Sequence, residues 1–207
     1  PGLVALQDAR DATSAGADVT REDAVMADIN STDLQTRLER LLDMEDIREV
    51  LRRYTRGLDR HDDAVIASAF WPDAEINYLD DFSGPTDAFV DWGNQRHEER
   101  YVCHQHHITN VNIDLDGDRA HVSSYVIYML RQKQDLQNIG SGRYIDQFER
   151  RNGEWRIALR EFLPEMGVTV PTGPRRELAS PPGNGRWDKD DISYRRPLTR
   201  RDSSGSA

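Results

Sequence analysis

Three of the six histidines fall within four positions, in the run His104-Gln105-His106-His107. An imidazole exchanges a proton near neutral pH and its bare nitrogen binds metals, so this run admits two chemistries. Strand alternation separates its members. His104, His106, Ile108, Asn110 and Asn112 share one face, and His107, Thr109, Val111, Ile113 and Leu115 share the other. The second face reads as ordinary core or interface, which makes His107 a packed histidine. The first is polar where a strand is half buried, and buried polar groups need partners or a purpose. His106 is therefore the candidate, either as a reactive base or as a hydrogen-bonded structural residue. A metal reading of His104 and His106 needs a third and usually a fourth ligand. No Glu follows at a fitting spacing and Cys103 points to the opposite face, so no metal is expected.

Three further residues could serve such a base. Arg160 lies in a strand pattern with Arg156, Ala158 and Phe162, against Trp155, Ile157 and Leu159 on the other face. It reads as an edge salt bridge or as a fixed cation facing a developing oxyanion. Tyr54 sits on an apolar helix stripe, so its buried hydroxyl must find a partner or a substrate. Asp59 lies about 120° around the same helix, near its end, where a solvated acid is ordinary. No glycine-rich phosphate loop or dinucleotide fingerprint is present, and the lone Cys103 follows no nucleophile signature.

The elements that position these residues follow from periodicity. Residues 1–32, rich in Ala and Asp, read as a mobile arm. Ser31-Thr32-Asp33 offers caps for a helix carrying Leu34, Leu38, Leu41 and Leu42, and a second helix carries Ile47, Val50, Leu51, Tyr54 and Leu58. Asp62-Asp63 opens a short helix over 64–70 that Pro72 ends, Ala74–Tyr78 forms a short strand, 81–85 a turn, and Thr86-Asp87 opens a helix to about Arg96. Strands are expected over 102–115, 119–131, 141–150 and 154–163, joined through Asp116-Gly117-Asp118 and Asn152-Gly153. Helices followed by an antiparallel meander give an α+β domain over 33–168, with a pocket between helices and sheet. Residues 169–207 form a tail rich in Pro, Gly and charge, whose Trp187, Tyr194 and Pro197 could dock on a surface.

The 207 residues carry 27 basic and 37 acidic side chains, a net charge of −10. A nucleic-acid surface needs a concentrated positive footprint, and the arginine pairs here are interspersed with acids, so nucleic acid is not expected. No run approaches the ~20 apolar residues of a membrane helix. One cysteine excludes an intrachain disulfide, and the first residues lack a secretory signal, which together suggest a cytoplasmic protein.

Taken together, Asp46-Ile-Arg-Glu-Val-Leu-Arg-Arg-Tyr54 through Asp59 to Asp62, Phe70-Trp-Pro-Asp-Ala74, His106-His-Ile-Thr-Asn110, Asp116-Gly-Asp-Arg-Ala120, Gly142-Arg-Tyr144 through Phe148, and Gly153-Glu-Trp155 through Arg160 resemble the SnoaL-like (nuclear transport factor 2-like) superfamily over about 35–165. The resemblance implies a cone in which helices close a strongly curved antiparallel sheet around a deep apolar pocket. The Tyr54, Asp59, His106 and Arg160 positions resemble those of bile-acid 7α-dehydratase, scytalone dehydratase and lindane dehydrochlorinase. By that likeness His106 is the general base, Asp59 fixes its tautomer, Tyr54 donates a proton, and Arg160 steadies an enolate. Asn110, Tyr128, Tyr144 and Phe162 are then expected around a hydrophobic cyclic substrate such as a steroid, polyketide or aromatic, with no cofactor. The implied reactions are β-elimination, a double-bond shift, or an aldol-type ring closure of the cyclase kind. A non-catalytic binding or subunit protein of the same fold is the alternative, because fold does not fix function. Apolar sheet residues Val111, Ile113 and Leu115, if turned away from the helices, call for a homodimer or homotrimer.

Overall fold

The computed structural model describes residues 21–173 and 185–198, with side chains from residue 31 onward. The chain forms two compact units, residues 1–42 and 43–207. Helix α1 spans Arg21–Arg60, so residues 21–32, read as an arm, are helical. Ser31, Thr32 and Asp33 lie inside the helix and not at its start, since no Gly or Pro interrupts residues 21–56. In the first unit Leu34, Leu38, Leu41 and Leu42 are exposed.

In the second unit, the α1 residues Ile47, Val50, Leu51, Tyr54 and Leu58 recur at helical spacing and are all buried. Each such side chain removed from water is worth about 1.5–3 kcal/mol. Helix α1 ends in a Schellman motif. The His61 N–H bonds the Leu58 carbonyl at 3.2 Å and the Asp62 N–H bonds the Gly57 carbonyl at 3.0 Å. His61 occupies the left-handed position of that motif, φ +48°, where glycine is usual.

Short helix α2 (Asp63–Ala67) leads directly into strand β1 (Phe70–Tyr78), and Pro72 sits within that strand instead of ending a helix. The β1–β6 pairing is irregular between Phe70 and Glu75, which accommodates a residue without an N–H. Strand β2 (Phe82–Pro85) occupies the stretch read as a turn, and helix α3 (Thr86–Arg100) begins at Thr86. Strands β3 (Tyr101–Asp116), β4 (Arg119–Gln132), β5 (Leu136–Arg151) and β6 (Glu154–Pro171) form the meander. Pro164 does not stop β6: it lies beyond Glu161, the last β6 residue paired with β1, so its missing N–H disrupts no ladder there. β6 therefore extends into the stretch read as tail.

The six strands run in the order β2-β1-β6-β5-β4-β3, antiparallel except for β1 against β6. The sheet is curved and open: among the described residues β2 and β3 are its two edges, not partners. The core collects on its helix-facing side, with Phe70, Ile76, Val122, Val126, Phe148, Trp155 and Ile157 packed against α1 and α3 residues such as Tyr54 and Phe89.

One irregularity reorders the sheet face. Thr109 pairs with Tyr125 and Asn112 with Ser123, so Asn110 and Val111 oppose Ser124 alone, a β-bulge with Asn110 at φ +48°. The bulge shifts side-chain parity by one. His104, His106 and Ile108 face inward before it, and Val111, Ile113 and Leu115 pack into the core after it. Asn110 and Asn112 turn out to solvent.

Candidate active site

A cavity of about 330 Å³ lies between α1, α3 and the sheet. Tyr54, Tyr78, Trp92, His97, His106, Tyr128, Tyr144 and Phe162 contribute to its lining. Apolar rings with a few polar groups converging among them are the ordinary makeup of a small-molecule site.

The Schellman turn puts Asp59 one residue before the end of α1, against β3. Its Oδ1 lies 2.8 Å from His106 Nδ1, and its Oδ2 accepts the His106 backbone N–H at 3.2 Å. A carboxylate near a helix C-terminus meets the negative end of the dipole; these two bonds offset that cost. With Nδ1–H donating to Asp59, Nε2 is the remaining base nitrogen of a side chain that opens on the cavity. Asp59 stands behind His106 and lines a separate surface hollow with Arg56 and Arg60. His107 lies on the outer, exposed side of β3.

The Tyr54 and Tyr78 hydroxyls are 2.8 Å apart. Burial raises the pKa of Tyr54, and those of Tyr78 and Tyr144 go well above 10, so all three stay protonated and can donate. Tyr128 is raised by burial as well.

Arg160 is not brought to the cavity. Its guanidinium is fully buried in the core, paired with Asp146 by two 2.7 Å bonds, and stacked 4.3 Å from the Tyr54 ring and 4.0 Å from the Tyr144 ring. The inward face of β6 at this level is already filled by those rings, so the cation braces the cavity wall from behind. Asn110 is likewise outside the cavity, because the bulge turns it to solvent.

Four histidines meet beside the cavity, two of them missed by sequence reasoning. His104 Nε2–H donates to the Leu58 carbonyl at 2.8 Å. Ring centroids separate His97 from His104 by 4.2 Å and from His106 by 5.9 Å, and His61 from His104 by 5.3 Å. The premise that His104 lacks further ligands nearby thus fails: His61, His97 and His104 offer nitrogens within 4.8 Å of one another, as do Asp59, His104 and His106. Burial lowers His97 to about 2 and His104 to about 4, with His106 a further cause in both, and lowers His61 too; all three rings are neutral near pH 7. His97 was legible in principle, since it continues the Phe89, Val90, Gly93 stripe of α3. His61 carried no such signal.

Residues 185–198 cover this end of α1. Trp187 stacks on His61 at 3.9 Å, Tyr194 donates to Asp62 at 2.6 Å, Lys189 pairs with Asp62, and Arg60 meets Asp191 at 3.1 Å. Trp187 and Tyr194 therefore dock.

A family model described as a SnoaL-like domain matches residues 39–161, more than half of the chain. The chain belongs to the SnoaL-like family. Solved structures similar to this SnoaL-like chain include a protein described as a candidate scytalone dehydratase from Novosphingobium aromaticivorans, 23% identical, with a TM-score of 0.58 over 68% of this chain and 96% of that one. A hexachlorocyclohexane dehydrochlorinase from Novosphingobium barchaimii is 19% identical, with a TM-score of 0.61 over 64% and 93%. A protein of unknown function from Mycobacterium tuberculosis is 25% identical, with a TM-score of 0.53 over 61% and 74%. The first two likenesses establish the shared fold. No curated protein matches the sequence. No described helix is long and apolar enough to cross a membrane.

Proposed function

We propose that this SnoaL-like chain is a lyase or isomerase that begins its reaction by proton abstraction, with His106 as base and Asp59 as its positioning partner. The observation that carries the reading is the Asp59–His106 bond of 2.8 Å, made by a histidine whose ring opens on an aromatic-lined cavity. His106 Nε2 takes a proton from carbon beside a carbonyl or a leaving group, and Asp59 stabilises the imidazolium. The C–H electron pair moves to form the new double bond, and in an elimination the leaving group departs with its bonding pair. A leaving hydroxide takes a proton from a cavity tyrosine, which the imidazolium replenishes, so one water is lost and the site is restored. Without a leaving group the proton returns at another carbon and the double bond has shifted. An aldol ring closure starts from the same carbanion. The aromatic lining favours a hydrophobic cyclic substrate, and the proton transfers themselves require no cofactor.

The test is proton exchange and product formation with ring β-hydroxyketones and related cyclic acids, followed by NMR in deuterated water. His106→Ala is expected to lower turnover about 10²–10⁴-fold, the range for a positioned acid–base group. Asp59→Asn lowers it as well by favouring the wrong tautomer. Full turnover in His106→Ala on a confirmed substrate would sink the mechanism. Tight ligand binding with no turnover in the unmodified protein would make it a binding module.

A further inference from the structure

We propose that His61, His97 and His104 form a binding site for a divalent transition-metal ion of the zinc class, distinct from the Asp59–His106 pair. Each of the three has a ring nitrogen that is buried and makes no hydrogen bond: His61 Nε2, His97 Nδ1 and His104 Nδ1. The three side chains come from the end of α1, the last turn of α3 and the start of β3, yet offer nitrogens within 4.8 Å of one another. A tetrahedral zinc with nitrogens at ~2.0–2.1 Å holds them roughly 3.4 Å apart, so the rings must turn as well as shift to bring their lone pairs onto one ion.

The opposite edges of two of these rings are arranged as metal-bound histidines need. His104 Nε2–H donates to the Leu58 carbonyl, which fixes the tautomer and leaves Nδ1 as a bare lone pair. His61 Nδ1 faces the Glu98 carboxylate at 3.8 Å, which favours the proton on Nδ1 and the lone pair on Nε2. Burial keeps all three rings neutral, the form that ligates. A water molecule between them could donate only two hydrogen bonds to three lone pairs, whereas one cation satisfies all three. In the neighbouring set of Asp59, His104 and His106, the Asp59 carboxylate is instead engaged by the His106 ring and backbone N–H.

The surroundings fit the same role. His61 is held in left-handed backbone geometry at a position where glycine is the unstrained choice, and such strain gathers at ligand sites. Trp187 lies flat on His61, 3.9 Å between centroids, and shields it. Three protein nitrogens leave a fourth position for water. His97 lines the cavity, while His61 and His104 lie behind it. The ion would clip α1, α3 and β3 together at the point where Asp59 and His106 are positioned.

The test uses the full chain, free of any polyhistidine tag, titrated with Zn²⁺ against a chromophoric chelator, and with Co²⁺ read by its visible absorption. One ion per chain is expected, with X-ray absorption at the zinc edge reporting three imidazole nitrogens. His61→Ala, His97→Ala and His104→Ala should each weaken binding by more than the roughly 10–100-fold typical of losing a supporting partner, whereas His107→Ala, on the outer side of β3, should leave it unchanged. Chelator should lower the Tm of the metal-loaded protein and leave that of His97→Ala unmoved. Absence of stoichiometric binding in the unmodified chain would overturn the site, as would binding that survives His97→Ala. If a variant does not fold, the ligand count in the unmodified protein decides: fewer than three imidazoles rejects the proposal. Neither result bears on proton abstraction by His106, which is read by turnover.

Discussion

Asp146 and Arg160 form the most deeply buried ion pair among the described residues, both side chains fully buried. Burial pushes the Asp146 carboxyl up, and the Arg160 charge beside it pulls the other way. Removing one partner strands the other charge in the core, which costs more than the pair itself contributes. Asp146→Asn should therefore destabilise the fold by about 3–5 kcal/mol in urea unfolding, while replacement of both residues by apolar ones of similar volume recovers most of that loss. An Asp146→Asn variant of unchanged stability but altered turnover would instead place Arg160 in the chemistry. Asp59 differs in kind: it is partly open to solvent and holds one imidazole, so Asp59→Asn should leave stability nearly intact.

Among the elements, β3 does most to arrange the site, through its bulge. Asn110 holds φ +48°, a region that costs other non-glycine residues about 1–2 kcal/mol, and Asn tolerates it better than most. Asn110→Val should lose that amount in chemical denaturation and Asn110→Gly should be near neutral. If Val costs nothing, the bulge is not pinned by residue 110. The physical stake is parity: without the extra residue, His104 and His106 could not face inward on the same strand as Val111, Ile113 and Leu115. The C-terminal turn of α1 is the second positioning device, setting Asp59, His61 and the Leu58 carbonyl within one helical turn.

On the scale of the whole molecule, the bulge also relocates the expected interface. Ile113 is buried, and Val111 and Leu115 pack against the core, so the three do not form the apolar outer face expected of them. The outer face of β4, β5 and β6 instead exposes Tyr125, Ile127, Ile139, Met166 and Val168. Ile139 pairs with Val168, and Ile127 with Ser141, itself opposite Met166, which makes the patch continuous. We propose self-association into a dimer or trimer through this face, since an apolar patch of this kind is costly in water. Light scattering should give a multiple of 23.7 kDa that Ile127→Lys combined with Met166→Lys reduces to the single chain. A single-chain mass in the unmodified protein at micromolar concentration would reject the proposal.

The sequence by itself determined what local periodicity can carry. The helix stripe from Ile47 to Leu58, the meander with its Gly117 and Gly153 turns, the α+β class, and the inward His106 with outward His107 all follow from repeats of 3.6 and 2. The Asp59–His106 pairing came from family likeness, because nothing local links residues 47 positions apart. What only the tertiary structure decided is where those periods break and which distant residues meet. A single inserted residue at Asn110 inverts half of β3 at a cost too small to mark the sequence. Arg160 became a core brace because Tyr54 and Tyr144, from another helix and strand, close around it. His61 in the turn that closes α1 and His97 in α3, each unremarkable in its own segment, meet His104 because the end of α1 and the last turn of α3 converge on β3. Local spacing encodes the face a side chain takes; convergence of faces is fixed by packing, which joins segments that share no pattern.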